Sequence, residues 1–118
     1  MPLDDEPRPL EVRIEEHGSV IVVVLSGELD LMSAPRVESA LQQAADGPAT
    51  ALIVDVQALS FMDSTGIRTL LQAKRRADAG GHSLAVLNGS GPAHRVLGLS
   101  GVGEHIRMLD DLSDSPSR

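Results

Sequence analysis

Three consecutive residues, Asp63, Ser64 and Thr65, place a carboxylate and two hydroxyls where an apolar run ends and a helical pattern begins. Upstream, Ala51-Leu52-Ile53-Val54-Asp55-Val56 has the aliphatic, β-branched density of a strand buried on both faces. Downstream, Ile67, Leu70, Leu71 and Ala77 recur at helical spacing, which predicts a helix from about Ser64 to Ala79, stopped by Gly80-Gly81. Asp63 or Ser64 is then the N-cap. The first N–H groups of a helix lack intrahelical partners and its dipole is positive there, so this position suits an anion, including a phosphate carried on Ser64. Ser, Thr and Asp also cap helices that carry no chemistry, and the pattern alone does not separate the two uses.

Other chemistries find less support. Ser64 with one of His82, His94 or His105 and an aspartate would make a nucleophilic triad, but no Gly-x-Ser-x-Gly elbow surrounds the serine. The histidines lack the paired spacing of a zinc site, and no carboxylate cluster resembles a calcium loop. A phosphate loop is missing, Gly98, Gly101 and Gly103 are irregularly placed, and the sole lysine, Lys74, falls in a basic helix. Asp55, at the end of a buried strand, offers a receiver-type phosphoacceptor. Such a site needs an acidic pair after the first strand and a lysine after the last, and no lysine follows Lys74. The reading is therefore a non-enzyme with no catalytic residue, no metal and no cofactor.

Composition narrows the class further. The 118 residues fit one domain, and 42% apolar content supports a core that must be aliphatic, since there is one Phe and no Tyr or Trp. Aromatic platforms for single-stranded nucleic acid are absent, and a formal charge of −7 opposes direct binding to a phosphate backbone. Without cysteine there are no disulfides or thiolate sites. No apolar run is long enough to span a bilayer, and Met1-Pro2-Leu3-Asp4-Asp5-Glu6 is acidic where a signal peptide is basic. The expectation is a cytoplasmic protein with no membrane contact.

Residues 1–9 hold three acidic residues and three prolines and read as a flexible tail, as does the polar stretch 110–118, leaving a domain at 10–109. Leu10, Val12 and Ile14 alternate with charged residues as in an outer strand, His17-Gly18 is a turn, and Val20 to Leu25 is a continuous apolar strand, together an antiparallel hairpin. Gly27-Glu28-Leu29-Asp30 ends that strand, with Asp30 either stabilising its turn or facing the hydroxyl cluster. Ser33 reads as an N-cap with Pro35 in the first turn, and Val37, Leu41 and Ala44 form the stripe of a helix stopped at Gly47-Pro48. Leu84 to Leu87 returns as a strand, Pro92 to Leu99 as a short helix, and His105 to Met108 as a last strand. The fold class is α/β: a single domain with a mixed sheet of four to five strands, an N-terminal antiparallel hairpin, and three to four helices on parallel crossovers.

Three motifs, in order over about residues 10 to 108, carry a resemblance. Leu59-Ser60-Phe61-Met62-Asp63-Ser64-Thr65-Gly66-Ile67 resembles the signature of STAS-domain anti-sigma factor antagonists, whose serine in Asp-Ser-Ser/Thr-Gly is phosphorylated by a partner kinase. Gly27-Glu28-Leu29-Asp30 followed by Ser33-Ala34-Pro35 is similar to that family's Gly-Glu-hydrophobic-Asp segment, and Val96-Leu97-Gly98-Leu99-Ser100-Gly101-Val102 to its late hydrophobic-Ser-Gly-hydrophobic segment. The resemblance implies phosphorylation at Ser64, with Thr65 as the alternative acceptor, and a partner surface made of Asp30, Met62, Asp63, Thr65 and Gly66; the spacing adds Arg68, one helical turn after Ser64, as a cation able to pair with a phosphate or with a carboxylate on a partner. Its implied partners are an anti-sigma factor with GHKL-type serine kinase activity and a serine phosphatase. Binding by the unmodified form would release a sigma factor, and phosphorylation would end that binding. An interaction module indifferent to phosphorylation is the alternative. The family often has glycine where this chain has Arg68, and Arg68 with Lys74, Arg75 and Arg76 puts four of ten basic residues on one helix.

Overall fold

A computed structural model describes residues 8–114 of the chain. Alternating side chains in β1 (Glu11–His17) leave its outer face wet, and the Arg13 guanidinium, followed by His17, holds the Glu15 carboxyl below the usual range. Gly18, at φ +66°, turns the chain into β2 (Val20–Leu29), which pairs antiparallel with β1. Three crossovers follow: α1 (Ala34–Ala45) to β3 (Ala51–Met62), α2 (Ser64–Ala79) to β4 (Ser83–Leu87), and α3 (Pro92–Ser100) to β5 (Arg107–Leu109). Strands β2 to β5 are parallel and the sheet order is β1-β2-β3-β4-β5, so every crossover steps the same way. The common hand of such connections puts the helices on one face. Val37 and Leu41 of α1, Leu70 of α2 and Leu97 of α3 join Val23, Leu25, Val54 and Val86 in the larger apolar cluster. The opposite face carries a smaller cluster built around Val22, Ile53 and Ala85. Sequence and structure agree on the hairpin, the parallel crossovers and the helices, and the sheet has five strands.

The two central strands are longer than their apolar runs. β2 continues through Gly27-Glu28-Leu29 and β3 through Gln57 to Met62. Their register shifts between Val24 and Ser26 and again between Gly27 and Glu28, each shift inserting one residue in β3. Bulges of this kind let pairing persist past an irregular stretch. Glu28 finally pairs with Phe61 and Leu29 with Met62, so the chain leaves both strands at one level of the sheet. Asp55, expected at a strand end, is inside β3 opposite Val24 and Leu87, its carboxylate accepting the Gln57 N–H at 2.9 Å.

The proposed tail, 1–9, and its counterpart, 110–118, fall partly outside the described residues. Within them, the Arg8 carbonyl accepts the Glu28 N–H at 3.1 Å, Leu10 is buried, and Leu112–Asp114 forms a 3-10 turn. Chain at 8–9 is therefore laid against the sheet. Gly27 permits this: it has φ +87°, and a Cβ there would collide with the Pro9 backbone carbonyl. Gly27→Ala combines a strained dihedral with a backbone clash and is expected to cost about 2–4 kcal/mol. In urea denaturation the midpoint should fall with an unchanged slope; a midpoint within error of wild type would contradict the packing described.

Candidate functional site

The loops that leave β2 and β3 form one surface. In the first, Asp30 Oδ1 accepts the N–H groups of Met32 and Ser33, both at 3.1 Å. The Ser33 hydroxyl accepts the Asp30 N–H and donates to the Glu28 carbonyl, both at 3.0 Å. Asp30 therefore folds its own loop, as aspartates in turns do. Ser33 occupies the N-cap position of α1 but makes no side-chain cap bond: its backbone is already helical at φ −97°, ψ −14°, and its hydroxyl is committed to the loop. The tight turn leaves Leu31 and Met32 in water, 69% and 85% exposed.

In the second loop Asp63 is extended, and its Oδ1 accepts the Thr65 N–H at 2.9 Å, the bond of an N-cap. Its carbonyl takes the N–H of Gly66 at 3.0 Å and of Ile67 at 3.4 Å. Among the described residues the Ser64 N–H has no hydrogen-bond partner, whereas those of Thr65, Gly66 and Ile67 are taken by Asp63. Ser64 is the first helical residue and its side chain is exposed, whereas Thr65 is half-buried and its carbonyl accepts the Thr69 hydroxyl at 2.9 Å.

The alternation of β3 decides which neighbours reach the surface. Met62, expected to touch a partner, is 4% exposed and turned into the core, while Phe61 is 44% exposed. Gly66 is also buried: a Cβ there would be 2.5 Å from Met62 Cγ and 3.1 Å from Leu29 Cδ2, so the glycine lets α2 start directly on the strand ends. Met62 and Gly66 thus support the loop from beneath. Leu31 and Met32, just past the Leu29–Met62 pair, and Phe61, three residues before Ser64, are exposed on the segments that leave the sheet at the level of the serine, and sequence reasoning missed them. A signal existed for the first two: they are apolar yet precede the α1 stripe and match no helical register.

Arg68 is exposed one turn after Ser64. The four basic residues that the sequence puts on this helix do not form one ridge: Arg68 and Arg75, seven residues apart, share a face, Lys74 pairs with Asp78 at 2.6 Å, and Arg76 lines a cavity between α1 and α2. That cavity, about 250 Å³, is also lined by Glu38, Asp46 and His82, and Ser64 is not part of its wall. His82, whose Nδ1 lies 3.1 Å from the Ala49 carbonyl oxygen, is past the far end of a 16-residue helix, roughly 24 Å along its axis from Ser64. Among the described residues no histidine hydrogen-bonds Ser64, no three of His, Asp and Glu gather as a metal site, and no helix is long and apolar enough to cross a membrane.

The STAS domain model matches residues 11–115. The chain belongs to the STAS-domain family. The anti-sigma-F factor antagonist RsfB of Mycobacterium tuberculosis is 30% identical to this STAS chain over 110 residues, 92% of it and 88% of RsfB. Among solved structures, an anti-sigma factor antagonist from Mycobacterium paratuberculosis superposes with a TM-score of 0.77 at 25% identity, covering 90% of each chain. Bacillus SpoIIAA, also an anti-sigma factor antagonist, matches in its unphosphorylated form with a TM-score of 0.71 at 27% identity, over 87% of this chain and 91% of that one. Its phosphorylated form matches at 0.65 with the same identity, over 87% and 95%. The five-stranded mixed sheet, hairpin and three helices of this chain are the STAS fold.

Proposed function

We propose that this STAS domain is an anti-sigma factor antagonist that works by partner switching in the cytoplasm. The observation that carries the reading is an exposed Ser64 hydroxyl at the start of α2, with Leu31, Met32 and Phe61 exposed at the same level of the sheet, in a chain related to anti-sigma factor antagonists. Unmodified, the surface binds an anti-sigma factor of the GHKL kinase type, and the sigma factor held there is freed. The kinase transfers the γ-phosphoryl group of ATP to the Ser64 oxygen, the hydroxyl proton leaves, and ADP departs. The modification adds about 1.5 to 2 negative charges to an interface whose centre is apolar, which expels the partner. A serine phosphatase restores the hydroxyl by hydrolysis. The domain itself is substrate and ligand, with no catalytic role.

Several features support Ser64 over Thr65 as acceptor. Ser64 is exposed and keeps its N–H open, and Thr65 is half-buried with its N–H taken by Asp63. Asp63 and Asp30 contribute by holding the two loops, and Arg68 by its charge at the rim. Incubation with a candidate anti-sigma kinase and ATP is expected to add one phosphate, which tandem mass spectrometry places on Ser64, and Ser64→Ala should accept none. Phosphate on Thr65, or undiminished incorporation into Ser64→Ala, would contradict the assignment.

A further inference from the structure

We infer that Arg68 is the intramolecular counter-ion of the phosphorylated Ser64, a residue that favours the dianionic charge state of the modified form. The inference rests on phosphorylation at Ser64 as proposed above and adds what receives the phosphate.

The local electrostatics ask for such a group. A phosphate on Ser64 arrives beside the Asp63 carboxylate, and that carboxylate already holds the Thr65 N–H, leaving the helix start with one open donor for the new dianion. Asp30 and Glu28 add two more carboxylates on the adjacent loop and strand end. Arg68 is the compensating charge within reach. Residues four apart on a helix have Cβ atoms about 5–6 Å apart, and helical side chains lean toward the N-terminus, so a guanidinium at position 68 can reach a phosphate at position 64. Its planar fork matches a phosphate bidentately.

The guanidinium is available for this task. Arg68 is exposed and has no ion-pair partner among the described residues, and the Asp63 and Asp30 carboxylates each accept backbone N–H groups of their own loops. The other charges of the packed elements are directed elsewhere. On α1, Arg36 binds the Leu10 carbonyl and Glu38 lines the inter-helix cavity; on α3, His94 and Arg95 line a depression with Ser90 and Pro92. Lys74 is paired with Asp78, and Arg75 is seven residues further along α2.

The test uses the full chain with phosphoserine installed at position 64 during translation, so that no kinase or partner is needed. The second ionisation of the phosphate is followed by ³¹P resonance against pH, in wild type, Arg68→Gln and Arg75→Gln. A cation beside the phosphate favours the dianion, so its removal must raise the midpoint. Arg68→Gln is expected to raise it by about 0.4 pH unit, the size of an i,i+4 charge pair, and 1 M salt should shrink the difference. Arg75→Gln, with the same change in net charge, should leave the midpoint near wild type. Equal midpoints for wild type and Arg68→Gln, or equal shifts in both variants, would overturn the inference. Because the phosphate is supplied directly, either result leaves the proposed kinase and partner to be judged by the incorporation assay.

Discussion

Ser64→Asp is expected to weaken binding to the anti-sigma factor by about 100-fold or more, whereas Ser64→Ala should bind within a few-fold of wild type. The asymmetry follows from what each change does to a contact surface that includes the exposed Leu31, Met32 and Phe61. Alanine removes one exposed hydroxyl, adds no charge and leaves no polar group to be desolvated on docking. Aspartate carries a charge that docking must strip of water, at a cost of about 3–5 kcal/mol; the Arg68 guanidinium one turn away offsets only about 0.3–0.5 kcal/mol of that, and each 1.4 kcal/mol is worth tenfold in affinity. Isothermal titration of the two variants against the anti-sigma factor measures the difference. Equal affinities would show that Ser64 is a helix-start residue only and that the domain binds regardless of its modification.

The second large effect is expected at the first loop. Replacing Leu31 and Met32 together by serine should lower affinity for the same partner by about 100-fold while leaving the fold intact. Both side chains are mostly exposed, and burying each is worth about 1.5–3 kcal/mol, so losing both removes 3 kcal/mol or more from the complex. The loop itself survives because Asp30 binds the backbone N–H of residue 32, not its side chain. Surface changes of this kind shift stability by about 0.5 kcal/mol or less, so the thermal midpoint should move by no more than roughly 2–4 °C. A double variant that binds as wild type does would remove this loop from the interface.

The helical half of the site was legible in the sequence for a physical reason. A helix start is local chemistry: Asp63 caps it, the apolar stripe of Ile67, Leu70 and Ala77 begins beyond it, and the structure starts α2 at Ser64. The strand half was not legible. Gln57, Ser60 and Phe61 interrupt the apolar run, so β3 looked as if it ended near Val56; it continues because β2 pairs with it through two register shifts, a property of the pair and not of either segment. That extension sends Met62, expected to touch a partner, inward and leaves Phe61, of which no contact was expected, exposed. Spacing left Asp30 either stabilising its turn or facing the hydroxyl cluster; its loop leaves the sheet next to that of Asp63, and its carboxylate is spent on its own turn. The spacing of a charged residue does not reveal which backbone donors claim it. For the same reason the sequence does not show that the basic run on α2 is divided by the Lys74–Asp78 pair and the position of Arg76.

The central claim is that the state of the Ser64 oxygen decides whether a sigma factor is held or free. Its most direct test begins with the complex of the anti-sigma factor and its sigma factor, the latter carrying a fluorescent label. The full chain is added, unmodified in one series and phosphorylated at Ser64 in the other, and sigma release is followed by anisotropy. The account predicts release by the unmodified chain and none by the phosphorylated chain at the same concentration. Equal release by both forms would contradict it.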